Sequence, residues 1–357
     1  MKHKIVMVIL SVAVIVSLVL VGCAEPTPAP TPTPTPAPAP TPAPTPEPEW
    51  PKTILFGSSS PPTSSWYPLH VKMAELGGRG MGIPVTVVYP GGGEACLNAW
   101  YNGELDVTHA TVPASYESIH GLGRWEGKPI ENRLRMLYMR DMNPLLMAVR
   151  EDSSINGYPD LQGKKIYVGY PGSTGYGQMD KSLDGLGIEY EEFVGELSDG
   201  ITAFKDGRID AFGKSAGGKS VDSSHMDIMS TTPIKFLSYT KDETEKIQAK
   251  YPWLAFMDRP AGWYEQLPDL GPITINVYDN NAITNEDFPE ELAYRWTKSV
   301  IENWDETVAV FPANEFYDPI AALMRIPPDV YLHPGAIRYY REIGAEIPES
   351  VIPPEMK

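Results

Sequence analysis

Short apolar runs alternate with amphipathic stretches from Trp50 to the C-terminus. The short runs are rich in β-branched residues, which is typical of strands, whereas the longer stretches have the apolar spacing of helices. The pattern predicts strands at 53–56, 85–88, 106–110, 145–149, 165–169, 234–237 and 273–278. It predicts helices at 69–76, 94–101, 178–186, 201–205, 243–251 and 290–302. This alternation predicts a mostly parallel sheet covered by helices, the α/β class.

The same order of parts occurs twice in the chain. Residues 53–107 run strand, polar loop, helix, strand, glycine-rich loop and helix, and close with NGELDV. Residues 165–212 follow the same order and close with DGRIDAF. In both, a glycine ends the helix, because glycine tolerates the left-handed conformation of a C-cap, and an aspartate precedes the next strand. We therefore predict two similar α/β lobes, made of residues 50–140 with 265–357 and of residues 141–264.

The loop that leaves the first strand of each lobe is rich in glycine and hydroxyl groups and poor in charge. These loops read GSSSPPTSS and PGSTGYG. Ligands of α/β sheets bind beyond the carboxyl ends of the strands, where helix N-termini favour anions. Because both loops hold the same place in the repeat, we predict that they face each other across a ligand cleft, although such loops also build ordinary turns. The candidate ligand-binding residues are Ser60, Trp66, Tyr67, Gly92, Gly93, Thr111, Arg140, Ser173, Thr174, Gly175, Tyr176 and Ser215.

Several of these candidates have a second possible role. The guanidinium of Arg140 can hold a carboxylate through two hydrogen bonds, but Asp141 follows it directly and offers an ion pair instead. The aromatic residues beside the loops, among them Trp66, Tyr67 and Tyr176, can contact a ligand or fill a core. The sequence leaves both alternatives open.

The N-terminus has the layout of a secretory signal. Lys2 and Lys4 precede an apolar run, Ile5 to Val21, which small residues close. The sequence LVGC resembles the bacterial lipobox, in which the peptide is cut before the cysteine and the thiol receives a lipid. We predict a signal peptide at 1–22 and a lipid on Cys23, the alternative being a single membrane-spanning helix. Alternating proline over 23–49 favours extended polyproline II and predicts a spacer.

Composition narrows the chemistry. The net charge of −17 makes nucleic acid and anionic bilayers poor partners. The histidines lack the spacing of zinc sites, and no GxSxG elbow is present, so we predict no metal, no cofactor and no catalytic residue.

The segment GKSAGGKS at 213–220 matches a phosphate-binding loop, but its flanks lack the required strand and helix, so we interpret it as a strand end. His333, before Pro334, is expected to cap or pack at a helix start.

The C-terminal segment YLHPGAIRYYREIG resembles the closing segment of the TAXI solute receptors, the extracytoplasmic binding proteins associated with TRAP transporters. Further motifs agree in order: WYPL, PGGGEACLNAWYNGELDV, GKKIYVGYPGST, FKDGRIDAF, KYPW and RPAGWY. The resemblance covers nearly all of residues 52–345. It implies a periplasmic binding protein type II-like fold, with two lobes joined by a hinge and the ligand between them. It also implies a receptor, not an enzyme, that delivers a small carboxylate or amino acid such as glutamate to a membrane TRAP permease.

The departures from the family pattern fall on the cleft loops. The first loop is longer and richer in serine and proline, Cys96 stands where asparagine is frequent, and Thr111 stands where a glutamine or similar group is usual. The identity of the solute therefore does not carry over. With Cys23 as anchor, the receptor is expected in the periplasm or on the outer face of the cytoplasmic membrane. A receptor of a binding-cassette importer, and a sensor or enzyme on the same fold, stay open.

Overall fold

The computed structural model describes residues 50–60, 62, 66–130, 133–169 and 173–357. The predicted signal peptide, Cys23 and the spacer lie outside the described residues, as do positions 61, 63–65 and 170–172 within the two predicted loops. Residues Glu49–Lys357 form one compact unit by their contacts. Within the described ranges, no helix is long and apolar enough to cross a membrane.

The fold begins with a strand–helix alternation built around three parallel strands. Strand β1 pairs in parallel with β2 and with β3, so the strand order is β2-β1-β3, and we refer to these three strands as the first half-sheet. The elements are β1 (Ile54–Gly57), α1 (Tyr67–Met81), β2 (Val85–Val88), α2 (Gly93–Tyr101), β3 (Val107–Thr111) and α3 (Val112–His120).

The same arrangement returns later in the chain. After the long strand β4, the strands β5, β6 and β7 form a second half-sheet with the order β6-β5-β7, again parallel. The elements are β4 (Leu134–Arg150), β5 (Lys165–Tyr167), α4 (Thr174–Leu186), β6 (Glu191–Glu192), α5 (Leu197–Lys205) and β7 (Ala211–Ser215). The predicted α/β class and the duplicated plan are confirmed, but the sheet is mixed rather than mostly parallel, because β4 pairs antiparallel with its neighbour β7.

One aspartate has the same role in both half-sheets. Asp106 accepts a hydrogen bond from the amide of Leu55 at 2.7 Å, and Asp210 accepts one from the amide of Lys165 at 2.9 Å. Each follows a helix that ends at a left-handed glycine, Gly103 with φ 76° and Gly207 with φ 72°. The NGELDV and DGRIDAF motifs are therefore two copies of one helix-to-strand connection.

The remaining elements complete the two halves. They are α6 (Ser223–Met229), β8 (Ile234–Phe236), α7 (Lys241–Lys250), β9 (Ala255–Arg259), β10 (Ile273–Asn285), α8 (Glu290–Glu302), α9 (Trp304–Val310), β11 (Tyr331–Leu332) and α10 (Pro334–Glu342). Short 3-10 turns lie at Gly123–Trp125, Tyr158–Leu161, Pro312–Phe316, Ala321–Arg325, Glu349–Val351 and Pro354–Met356.

Two long antiparallel strands, β4 and β10, join the half-sheets. Their register runs from Asn276 opposite Leu145 to Asn285 opposite Leu134, with two irregularities. Strand β3 pairs with the end of β10, and β7 pairs with the end of β4. The sequence predicted only 145–149 and 273–278 as strand here, which was too short. Polar residues interrupt the apolar pattern in the middle of both strands, where the chain passes from one half to the other.

Buried apolar clusters lie on both halves. Helices α1 and α8 pack against each other around Met73, Leu76 and Trp296, over the first half-sheet. Helices α4 and α7 bury Leu183 and Ile247 over the second. Each half therefore has an apolar core of its own.

Candidate functional site

A cavity of about 350 Å³ lies between helices α2 and α3 on one side and α4 on the other. Its walls combine hydroxyl groups, charged side chains and two aromatic rings. Its lining includes Gly93, Glu94, Thr111, Glu117, Arg124 and Trp125 from the first side and Ser173, Thr174, Tyr176, Gln178, Asp180 and Lys181 from the second.

Helix N-termini surround this cavity. Thr111 caps α3, since its Oγ1 accepts a hydrogen bond from the amide of Ala114 at 3.1 Å. Ser173 caps α4, since its Oγ accepts one from the amide of Tyr176 at 3.2 Å. The first turn of a helix has amide groups without intrahelical partners and the positive end of the dipole, so these ends favour acceptors and anions. One end of a solute can therefore be held without a cationic side chain.

The cations in the cavity wall already have carboxylate partners. The Nζ of Lys181 on α4 lies 3.2 Å from Oε1 of Glu117 on α3. The guanidinium of Arg124 pairs with the carboxylate of Glu94, and both of these side chains are about half exposed. The first pair is more buried and connects the two sides of the cavity.

Two further residues of α4 belong to the cavity lining and carry acceptor groups. Gln178 is 2 % exposed, and its Oε1 has no hydrogen-bond partner among the described residues. Asp180 accepts a hydrogen bond from the hydroxyl of Tyr190 at 2.8 Å. Burial, followed by the carboxylate of Glu192, raises the pKa of the Tyr176 hydroxyl to about 12, so that hydroxyl stays neutral at physiological pH.

Five of the twelve predicted residues line this cavity: Gly93, Thr111, Ser173, Thr174 and Tyr176. They come from both halves of the repeat, and the structure brings them together. The other seven do not line it: Ser60, Trp66, Tyr67, Gly92, Arg140, Gly175 and Ser215.

Arg140 is buried in the protein and held by its neighbours. Its Nε lies 2.9 Å from Oδ2 of Asp141, and its Nη1 donates to Nε2 of His70. A guanidinium only donates, so Nδ1 of His70 carries the proton and donates to Oγ of Ser58 at 2.6 Å. Ser58 in turn donates to the carbonyl of Ser60 at 2.7 Å. Of the two roles that the sequence left open, the ion pair with Asp141 is the one that the structure contains.

The other residues outside the cavity have local roles. The ring centroids of Trp66 and Phe311 are 4.3 Å apart. The guanidinium carbon of Arg140 lies over the ring of Trp66, 5.5 Å from its centroid. Tyr67 begins α1 and is half-buried, and Gly92 precedes α2 with φ 121°. Gly175 lies in the first turn of α4, where an added Cβ would be 3.3 Å from Leu145.

The segment 213–220 does not form a phosphate-binding loop. Gly213 to Ser215 end β7, where Ser215 accepts a hydrogen bond from Nζ of Lys214 at 3.1 Å. Gly217 and Ser220 then pair as a tight bridge, and α6 begins only at Ser223. Lys219, the lysine of the motif, lies 4.8 Å above the ring of Phe316. The interpretation as a strand end followed by a turn agrees with this arrangement.

Histidine positions also have structural explanations. His333 accepts a hydrogen bond from the amide of Gly335 at 3.1 Å and donates to the carbonyl of Phe288 at 2.9 Å. Its predicted capping role is confirmed. Within the part of the chain that the structure describes, no group of three or more His, Cys, Asp or Glu is arranged to hold a metal ion.

Sequence reasoning did not find the charged and amide groups of the cavity. Thr174, Gln178 and Lys181 are four and three residues apart, which places them on one face of α4. That spacing was a usable signal once Ser173 was taken as the helix cap. The partner of Lys181, Glu117, has no such signal, since only the tertiary fold brings it near.

Several solved structures are similar to this chain. A TctC solute-binding protein from Polaromonas is 16 % identical, with 77 % of this chain and 88 % of that chain covered and a TM-score of 0.49. The aliphatic sulphonate-binding protein SsuA from Escherichia coli is 14 % identical, with 85 % and 90 % covered and a TM-score of 0.42. An ancestral arginine-binding protein is 15 % identical, with 75 % and 99 % covered and a TM-score of 0.40.

The sequence model of one protein family matches residues 58–344, which is most of the compact unit and includes every residue of the cavity named above. The chain therefore belongs to the NMT1-like family.

Proposed function

We propose that this chain is an extracytoplasmic solute receptor of the TAXI kind, without catalytic activity. It captures a small polar solute, a carboxylate or an amino acid such as glutamate, and delivers it to a TRAP-type membrane permease. The observation that carries this proposal is the cavity between α3 and α4, where two capped helix N-termini from the two half-sheets meet. Helix ends that favour anions, together with neutral hydroxyl groups, suit the reversible binding of an anionic group.

The two lobes are residues 50–140 with 265–357 and residues 141–264, except that β10 begins beside β9 of the second lobe, and β4 and β10 form the hinge. The support is that β4 pairs with β7 of the second half-sheet, β10 pairs with β3 of the first, and the two strands pair with each other. Closure around a solute is then a rotation about the middle of both strands, stabilised by contacts from both sides of the cavity. A lipid on Cys23 would keep the receptor in the periplasm or on the outer face of the cytoplasmic membrane. The proline-rich spacer would let the receptor reach its permease.

A thermal-shift screen of the full-length chain in detergent, against amino acids and mono- and dicarboxylates, tests the receptor. A rise in melting temperature with at least one solute is expected, because a ligand that binds only the folded state stabilises it. If no solute in the panel raised the melting temperature, the proposed receptor function would be rejected.

The site itself is tested by Ser173→Ala combined with Thr174→Ala. Loss of the hydroxyls is expected to weaken solute binding tenfold or more. Thr240→Ala is the matched control, because Thr240 caps α7 through the amide of Glu243 and lies outside the cavity lining. It should lower stability by about 1 kcal/mol, as loss of a cap does, and leave affinity unchanged.

A further inference from the structure

The cavity wall that α4 provides changes its hydrogen-bonding character along the helix. At its start, Ser173 and Thr174 stand among the amide groups of the first turn, which donate. Further on, the lining includes Gln178, on the same face as Thr174, and Asp180, whose carboxylate lies toward the other side of the helix; both offer acceptor oxygens. At 1.5 Å of rise per residue, the donor end and Gln178 are roughly 6 Å apart. A solute along this wall meets donors at one end and acceptors at the other.

Gln178 is the group that most clearly lacks a partner. The side chain is 2 % exposed and lines the cavity, and its Oε1 accepts no hydrogen bond from the described residues. Buried polar groups in folded proteins are almost always hydrogen-bonded, because an unpaired buried acceptor is costly. A donor on the solute would satisfy this oxygen.

The charges of the lining point in the same direction. Three carboxylates line the cavity, those of Glu94, Glu117 and Asp180, against the two cations of Arg124 and Lys181. Both cations are paired, Lys181 with Glu117 and Arg124 with Glu94. A second carboxylate on a solute would therefore meet no unpaired cation in this lining, whereas a cationic nitrogen would meet Asp180. The net charge of −17 adds a field of the same sign.

We infer that the cavity selects a dipolar solute, with one carboxylate at the N-termini of α3 and α4 and a cationic nitrogen, roughly one helical turn away, that donates to Gln178 in a lining where carboxylates outnumber cations. The inference rests on the proposed receptor function and narrows it. A monocarboxylate with an amine at the far end of a short chain fits this spacing better than an α-amino acid, whose charged groups are adjacent. Dicarboxylates are disfavoured.

Isothermal titration of the full-length chain in detergent tests this selection with 4-aminobutyrate, 5-aminopentanoate, glutamate and glutarate. We expect at least one of the two amines to bind tenfold or more tightly than glutarate. Gln178→Leu, which has a similar volume without the amide, should weaken the amine tenfold or more and leave glutarate unchanged. Glu245→Gln, an exposed position on α7 outside the lining, is the control and should preserve all affinities.

Gln178→Glu provides a readout in the opposite direction, should the leucine variant fold poorly. The added carboxylate should tighten binding of the amine and weaken glutarate further. The inference is overturned if glutarate or glutamate binds as tightly as the amines, or if Gln178→Leu weakens every probe equally. If another polar solute binds and the amines do not, the inference about selectivity fails and the proposed receptor function remains supported. If no solute binds at all, both fail.

Discussion

The Nζ of Lys181 lies 3.2 Å from Oε1 of Glu117, and this ion pair connects α4 of one half to α3 of the other across the cavity. A second contact stands beside it, where the rings of Tyr116 and Trp253 stack at 4.8 Å. Helix α3 is therefore attached to the second half by a polar and an aromatic contact. Both contacts would separate if the halves moved apart.

Removal of the Lys181 charge should favour the separated arrangement. We expect Lys181→Met to raise the dissociation rate of a bound solute several-fold, because partly exposed ion pairs contribute about 0.2–1 kcal/mol. Stopped-flow dissociation and the radius of gyration from X-ray scattering measure the two effects. Lys205→Met is the control, since Lys205 pairs with Asp227 at 2.7 Å within the second half. Equal dissociation rates for Lys181→Met and the wild type would contradict the role of the pair.

Arg140 should matter for stability rather than for affinity. Arg140→Ala leaves Asp141 buried without its cation, and breaking a buried pair costs about 3–5 kcal/mol. Urea unfolding should register this loss in the free energy of unfolding. Arg208→Ala, at an exposed pair with Asp206, should change it by less than about 0.5 kcal/mol. A variant of Arg140 with full stability and lost affinity would instead make Arg140 a solute ligand.

A buried histidine on α6 should make the protein acid-sensitive. The ring of His225 packs edge-on against Phe212 and Phe236, and burial lowers its pKa to about 4; the carboxylate of Asp222 opposes this shift and the cation of Lys214 adds to it. The unfolded chain takes up this proton near pH 6.5, so the stability present above that pH is lost as the pH falls toward 4.

His225→Leu should remove this part of the pH dependence. Between pH 7 and pH 5 its free energy of unfolding should fall by about 2 kcal/mol less than that of the wild type. Met226→Ala, at an exposed position of the same helix, should keep the wild-type loss. Burial raises the pKa of Asp141 to about 6, so the folded state takes up this proton before the unfolded state does as the pH falls. This effect raises the free energy of unfolding equally in the wild type and in His225→Leu, so it cancels in the comparison. Equal losses for His225→Leu and wild type would refute the assignment.

The glycine of the LHPGA motif should not tolerate a side chain. An added Cβ at Gly335 would collide with the carbonyl oxygen of Glu290 and come within 2.6 Å of the amide nitrogen of Tyr294, both on α8. Gly335→Ala should therefore cost about 1–3 kcal/mol or more in thermal or urea unfolding, as overpacking does. At Gly271 an added Cβ meets nothing within 4 Å, so Gly271→Ala should be neutral. Full stability of Gly335→Ala would mean that α10 and α8 can move apart.

Local sequence patterns were sufficient to predict the duplicated order of strands and helices and the turn that leads from a helix into the next strand. The apolar runs predicted β1, β2, β3 and β5, and the pairs Asp106 with Gly103 and Asp210 with Gly207 form the same turn twice. These features depend on residues close in sequence, and their chemistry is the same wherever they occur. Thr111 and Ser173 were predicted as ligand-binding residues, whereas their role as caps of α3 and α4 emerged only in the structure.

The sequence by itself determined the α/β class, the duplicated order of parts and the glycine- and hydroxyl-rich loop before α4, because propensity, periodicity and turn chemistry act over a few residues. Only the tertiary structure decided which charges meet. It paired Arg140 with Asp141 and His70 away from the cavity, joined Lys181 to Glu117, and left Oε1 of Gln178 without a hydrogen-bond partner among the described residues. The reason is that these relationships depend on how β4 and β10 bring two separate half-sheets together, and no local pattern encodes that distance.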